Sequence, residues 1–376
     1  MIAEHFGKIE DPREPWKIKH DMLEIITIVI LATLAGCDAW EEIEDFCKVK
    51  ENWFKERVKL KLWNGIPSHD TLQRVFGMID PSAFETSFQD WMAAVFKKTD
   101  GEIISVDGKT LRGSKDGKKR PLHMVSAWAN ANQMVLGQVP TDEKSNEIKA
   151  VPELLDLLDI KGCIITADAM SCQKEITGKV TEKEADYVFA LKENQPNLYE
   201  DVRMYYEDVL SHPRHHKDEV EKVITTDKGH GRIEKRTYYL ISNVDWIENR
   251  SAWSNLNGIG MVKSRVDTNG IITEDTRYYI TSLTNAALFA KAARAHWGIE
   301  NSLHWCLDVV FNEDHIRMRK DHTAENMAVV RHIVLNVLKS FPTEKKMSVA
   351  RKRKRCYYDQ DFLASVLEFM VSVFHA

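Results

Sequence analysis

Between residues 101 and 191 the chain lays out an order of elements that few folds can accommodate. EIISVDG, HMVSAWAN (123–130) and QMVLGQVP (133–140) are three β-prone runs. NANQ supplies a turn between the second and third, which predicts an antiparallel meander. SNEIKAVPELLDLLD then reads as a helix capped by Ser145, KGCIITADAM as a strand, QKEITGKVTEKE as a helix and DYVFALK as another strand. Three strands, helix, strand, helix, strand describes a mixed α/β sheet.

The flanks differ in character. Residues 1–95 show no strand alternation and read as a helical unit: a buried helix at 21–35, an amphipathic one at 40–63, a short helix from Ser68 through Phe76, and another across SAFETSFQDWMAAVFKK. After a helix at 197–210, strand formers with DKGHG and DTNG turns predict a β-rich insertion at about 215–283. A helix from Ala286 to about Val310, another from Thr323 to Lys339, the basic run KKMSVARKRKR (345–355) and a helix at 360–374 close the chain. The expected division is a helical unit at 1–95, an α/β unit at 96–345, and a basic segment with a last helix at 346–376.

The net charge is −5, from 52 basic and 57 acidic residues, so the chain is no polycation and any nucleic-acid role rests on local patches. One patch comprises Lys109, Arg112, Lys115, Lys118, Lys119 and Arg120, opposed only by Asp116; the run at 345–355 is the other. A solvated face is the alternative for each. Six cysteines without a CxxC pair argue against a zinc ribbon or a disulfide framework, so reduced thiols and a cytoplasmic location are expected. IITIVILATLAG (25–36) falls short of the ~20 residues that span a bilayer, and a core helix is expected there, with no membrane partner.

Two apolar strands end in an aspartate, Asp107 and Asp168, each followed by a small residue. An ionised carboxylate in a buried strand is costly unless it is paired or bound to a metal. Each alone reads equally as a cap or turn former. Two in one sheet repel, and a divalent cation between them relieves the repulsion. In RAHWGIENSLHWCLDVVFNED, His296, Glu300, His304 and Asp308 recur every four residues and share a helix face. Intrahelical pairs, Glu300 with His304 and His304 with Asp308, are the alternative use of that face. A zinc site on His296 and His304 is disfavoured, because eight residues of helix separate them by ~12 Å of rise. Oxygen donors favour Mg²⁺ or Mn²⁺. Two such ions ~4 Å apart would clamp the attacking and leaving oxygens of a phosphodiester. Lys109 and Arg112 would meet its phosphates.

SVDGKTLRGS, ITADAMSCQ and HWGIENSLHWCLDVVFNED, in this order, resemble the DDE transposases of bacterial insertion sequences, and in particular the H-repeat-associated proteins linked to Rhs elements. The resemblance covers nearly the whole chain, with DPREPWKIKH in the associated N-terminal region. It implies a ribonuclease-H-like catalytic core with a β-rich insertion, preceded by an all-helical domain. It implies Asp107, Asp168 and Glu300 as the catalytic, metal-binding triad, with two Mg²⁺ or Mn²⁺ ions. HGRIEKR resembles a motif of the insertion in which His230, Arg232 and Arg236 contact DNA; a hairpin with cross-strand charge pairs is the alternative. Related transposases carry a Tyr and an Arg before the Glu and a Lys after it. Here those places hold Ala293, His296 and Leu307, leaving His296 as the candidate substitute. The implied activity is hydrolysis at element ends followed by transfer of the 3′-hydroxyl into target DNA. The implied partner is double-stranded DNA, bound by a homodimer. A decayed DNA-binding relic and a metal-dependent nuclease without strand transfer are the alternatives.

Overall fold

The computed structural model describes residues 2–117, 120–141, 146–229 and 231–372. Ser145, Lys118, Lys119 and His230, each given a role above, lie outside the described residues. A single nine-stranded sheet forms the frame, with β1 (Ile103–Thr110), β2 (His123–Ala129), β3 (Met134–Thr141), β4 (Ile164–Ala167), β5 (Asp186–Leu191), β6 (Val220–Gly229), β7 (Arg232–Ile241), β8 (Gly258–Thr268) and β9 (Ile271–Thr281). Their spatial order is β3-β2-β1-β4-β5-β9-β8-β7-β6. The meander β1–β3 is antiparallel, while β4 and β5 run parallel to β1. Helices Glu147–Asp156 and Lys174–Glu182 make the crossovers that parallel strands require. This is the mixed sheet that the order of runs predicts, and the ribonuclease-H-like core that the resemblance implies.

The strand-rich stretch after residue 215 extends this sheet. β9 pairs antiparallel with β5, from Val188 opposite Thr281 to Leu191 opposite Tyr278, and β8, β7 and β6 continue outward.

Two expected long helices are broken. In place of a helix at 40–63, Trp40–Val49 is followed by Glu51–Trp53 and a π-helical turn Phe54–Val58, which ends at Lys59 with φ 65°. Trp53 and Phe54 are consecutive yet both buried, and regular α spacing would set them about 100° apart. The helix expected from Ala286 to Val310 divides into Ala286–Ala295, a π-helical segment Ile299–His304, and Trp305–Val309. At Gly298 a Cβ would collide with Asn130 Oδ1, so the chain passes this point only as glycine.

The helix Thr323–Ser340 is buried along most of its length and serves both the helical unit and the sheet. Asn326 Nδ2 donates to the carbonyls of Phe76 and Ile79 at 2.7 and 3.0 Å. One turn from its other end, Asn336 donates to Val135 O and accepts from Val135 N, each at 2.8 Å. Met22–Leu34 packs against the same helix and belongs to the core, as expected.

The basic run folds as a helix, Val349–Tyr358, capped by Ser348. Two of its cations are buried. Arg353 donates to Thr33 O, Val310 O and Asp38, and its guanidinium lies 4.3 Å from the Phe311 ring centre. Lys352 donates to Leu338 O and Phe341 O at 2.6 Å. For these two residues, both expectations, DNA contact or a solvated face, give way to a structural role. The final helix ends at Ser372.

Glu85, on the helix Pro81–Val95, is half-buried against β3, where one carboxylate oxygen accepts from Gln138 N at 3.1 Å and the other is shut off from solvent. Burial pushes its carboxyl up to about 7, with Gln138 and Gln89 partly opposing. The folded state therefore binds an extra proton between the ordinary glutamate range and about pH 7, and stability falls as pH rises through that window. Glu85→Gln should raise stability at pH 8 by on the order of 3 kcal/mol and change little at pH 4.5. Urea melts at the two pH values check this.

Candidate active site

β1 and β4 are adjacent and parallel, with Val106 opposite Ala167. Asp107 is the next residue of β1, which, contrary to expectation, does not end there but runs on to Thr110, with Asp107 opposite Ser126 of β2; Asp168 directly follows β4, so the two aspartates sit side by side just beyond the carboxyl end of β4. Asp168 caps the turn Ala169–Ser171, accepting from Met170 N at 3.0 Å and Ser171 N at 3.3 Å.

Glu300 comes from the π-helical segment, and the imidazoles of His296, just before that segment, and of His304, at its end, face β4 and β1. His296 Nδ1 lies 3.1 Å from Thr166 Oγ1 on β4. His304 Nδ1 lies 3.6 Å from Asp107 Oδ2 on β1. Glu300 falls between these two anchors. Burial, then the charges of Asp168, Glu147 and Glu300, pushes the Asp107 carboxyl up to about 7, and the Gly108 amide offsets only part of this. Asp107 therefore lies within electrostatic reach of Asp168 and of the exposed Glu300.

Glu147 is a member of this acidic neighbourhood that sequence reasoning missed. It is buried and lies 2.5 Å from His123 Nε2. A Cβ at residue 108 would strike both groups, which accounts for glycine directly after Asp107. No local pattern marks Glu147; its position depends on the crossover from β3.

Several expected roles change. Lys109 is 9% exposed and is held by Asp308 at 2.7 Å, Glu313 at 2.8 Å and Asp314 at 3.5 Å. Its ammonium is committed to carboxylates and turned away from any phosphate. Asp308 is thereby occupied and His304 faces Asp107, so neither serves the intrahelical pairs that regular spacing suggested. Burial pushes His296 and His304 down to about 4, so both are uncharged near neutral pH. His296 therefore supplies no positive charge in place of the missing Arg. Arg236 is buried between Asp227, at 2.6 Å, and Glu234, and Arg232 pairs with Glu234 at 2.9 Å, which is the charge-paired hairpin alternative. Arg112 remains 80% exposed, 3.6 Å from Asp314.

Among the described residues no three His, Cys, Asp or Glu side chains converge closely enough to hold a metal ion. The donor chemistry nevertheless suits a hard divalent cation: carboxylate oxygens, a buried Asp107 without a cationic partner, and a buried His304 Nε2 without a hydrogen-bond partner. All six cysteines are buried and unpaired. Among the described residues no helix is long and apolar enough to cross a membrane.

A sheet with this strand order, with one aspartate inside β1 and another directly after β4, is a ribonuclease-H-like core. Residues 98–337 match the family model "Transposase DDE domain", and residues 3–92 match "DDE_Tnp_1-associated". "H repeat-associated putative transposase YhhI" and "Putative protein YbfL" of Escherichia coli K12 are each 38% identical to the chain, covering 97% of it and 97% of their own length. "Putative transposase YncI" of Escherichia coli O157:H7 is 40% identical, covering 97% of this chain and 94% of its own. The chain belongs to the H-repeat-associated bacterial insertion-sequence family of DDE transposases, whose mechanism acts on DNA ends.

Proposed function

We propose that this chain cuts one strand at the ends of its element and joins the freed 3′-hydroxyl to target DNA, using Asp107, Asp168 and Glu300 as its acidic triad. The observation that carries this reading is the register of β1 and β4, Val106 opposite Ala167, which sets Asp107 beside Asp168, with the charge of Glu300 also reaching Asp107. Two Mg²⁺ or Mn²⁺ ions held by these three carboxylates would supply Lewis acidity at the attacking and leaving oxygens.

The protein's own contribution is placement. Thr166 orients His296 and ties the chain just before Glu300 to β4, while His304, just after it, faces Asp107 on β1. The two imidazoles, uncharged near neutral pH, add no positive charge to compete with a cation. Joining two element ends calls for two active sites, which favours a homodimer on DNA.

The test is incubation of the purified chain with Mn²⁺ and a labelled duplex carrying the repeats that flank its gene. Nicking at the element boundary, followed by joining to a plasmid, is expected; nicking without joining would indicate a nuclease instead. Calorimetry supplies an independent check. In EDTA at pH 8 the ionised Asp107 lacks a counter-charge, so Asp107→Asn should melt a few degrees higher than the parent. Below pH 4, where the carboxyl is protonated in both folded and unfolded chains, the difference should vanish. Mn²⁺ should then raise the parent's melting temperature and leave that of Asp107→Asn unchanged.

A further inference from the structure

The basic patch after β1 is only half of a larger surface. The loop that follows Trp305–Val309 carries a second cationic stretch, HIRMRKDH at 315–322. The two loops meet at Gly113, which is buried. A Cβ there would collide with the carbonyl oxygen of Ile316 and crowd that of Glu313 at 2.9 Å. Arg319 Nε donates to Gly113 O at 2.9 Å and closes the junction.

The charges on this surface divide by depth. Inside, Glu313 is matched by Lys109 at 2.8 Å and Arg331 at 3.3 Å, and Asp314 faces Lys109 and Arg112. The buried carboxylates are thus neutralised largely from within. Outside, Lys115, Arg317 and Lys320 are exposed, and among the described residues no carboxylate lies in ion-pair range of them. Arg112 and Arg120 on the first loop are exposed as well, as are the carboxylates Asp116 and Asp321. The surface begins just after β1, the strand of Asp107, and Lys109 on that strand pairs with Glu313 beside the second loop, so a polyanion seated on it would run alongside the acidic site.

We propose that these two loops, joined through Gly113, form a cationic platform that seats the sugar–phosphate backbone of duplex DNA. The inference deepens the strand-cutting reading and rests on it for the identity of the polyanion. It concerns register and affinity, since phosphate contacts carry no base information.

The test measures binding of the full chain to a fluorescent DNA duplex in EDTA, where no cleavage competes, between 50 and 200 mM salt. Each phosphate contact contributes about 0.9 to the slope of log affinity against log salt. Arg317→Ala with Lys320→Ala should make the slope shallower by about 1.8, and Arg317→Lys with Lys320→Arg should keep it. Gly113→Ala, which changes no charge, should weaken binding by separating the loops; a melt of each variant confirms that it is folded. A wild-type slope and affinity in the folded Arg317→Ala/Lys320→Ala protein overturns the platform, as does tighter binding to an RNA duplex of the same sequence. An unchanged slope in protein that still cuts element ends removes the platform and leaves the strand-cutting reading intact. A shallower slope in a chain whose parent never cuts with Mn²⁺ upholds the platform and removes that reading.

Discussion

Asp107→Asn and Glu300→Gln should each abolish Mn²⁺-dependent cutting of a labelled element end while leaving duplex affinity unchanged. Both substitutions conserve shape and remove one negative charge from a site whose chemistry depends on concentrating such charge. Loss of a cation's transition-state stabilisation is worth several kcal/mol, a rate loss on the order of a thousandfold or more. Duplex affinity rests on cations elsewhere on the surface, so a mobility shift should be unaffected. A purified Asp107→Asn or Glu300→Gln protein that still cuts would remove these carboxylates from the chemistry. Asp168→Asn is a less clean probe, because its carboxylate also caps the following turn through Met170 and Ser171.

Lys109→Met should cost on the order of 3 kcal/mol of stability at pH 7, since it leaves the buried Glu313 with Arg331 alone and the half-buried Asp308 with no cation among the described residues. Lys109 lies two residues after Asp107 on β1 and points to the same side of the sheet. Its ammonium ties that strand to Asp308, Glu313 and Asp314. Arg331 would remain beside Glu313, but Asp308 would face no cation among the described residues. The deficit should shrink as pH falls toward 4, because Asp308 and Glu313 can then take up protons. Denaturant melts across that range measure both the size and the trend. A loss below about 1 kcal/mol, the scale of an exposed pair, would mean that the cluster is solvated.

The sheet was legible because its signals are local. β-branched runs, the NANQ turn and helix periodicity give the element order, and an aspartate at the end of an apolar strand is conspicuous wherever it falls. Lys109 illustrates the limit of such reading. It stands in a basic stretch and resembles a phosphate contact, yet Glu313, which claims it, lies 204 residues further along the chain. Arg353 is a similar case: within a run of five basic residues, nothing nearby marks it as the partner of Thr33 and Asp38. His296 and His304 were assigned to one face by assuming 3.6 residues per turn. The π-helical geometry at Ile299–His304 changes that spacing and delivers the two rings to different strands. The insertion was visible as strand-rich, but the pairing of β5 with β9 joins residues about ninety positions apart, and no turn signal encodes it.

That pairing has a mechanical consequence. A backbone ladder couples the outer hairpins to the strand beside Asp168, where two separately folded units would be joined by a swivel. Each step between neighbouring strands turns by roughly 20–25°, so the hairpin tips are aimed by accumulated twist. The orientation of the outer hairpins relative to the acidic edge is thus built into the backbone, and a one-residue slip between β5 and β9 would change it.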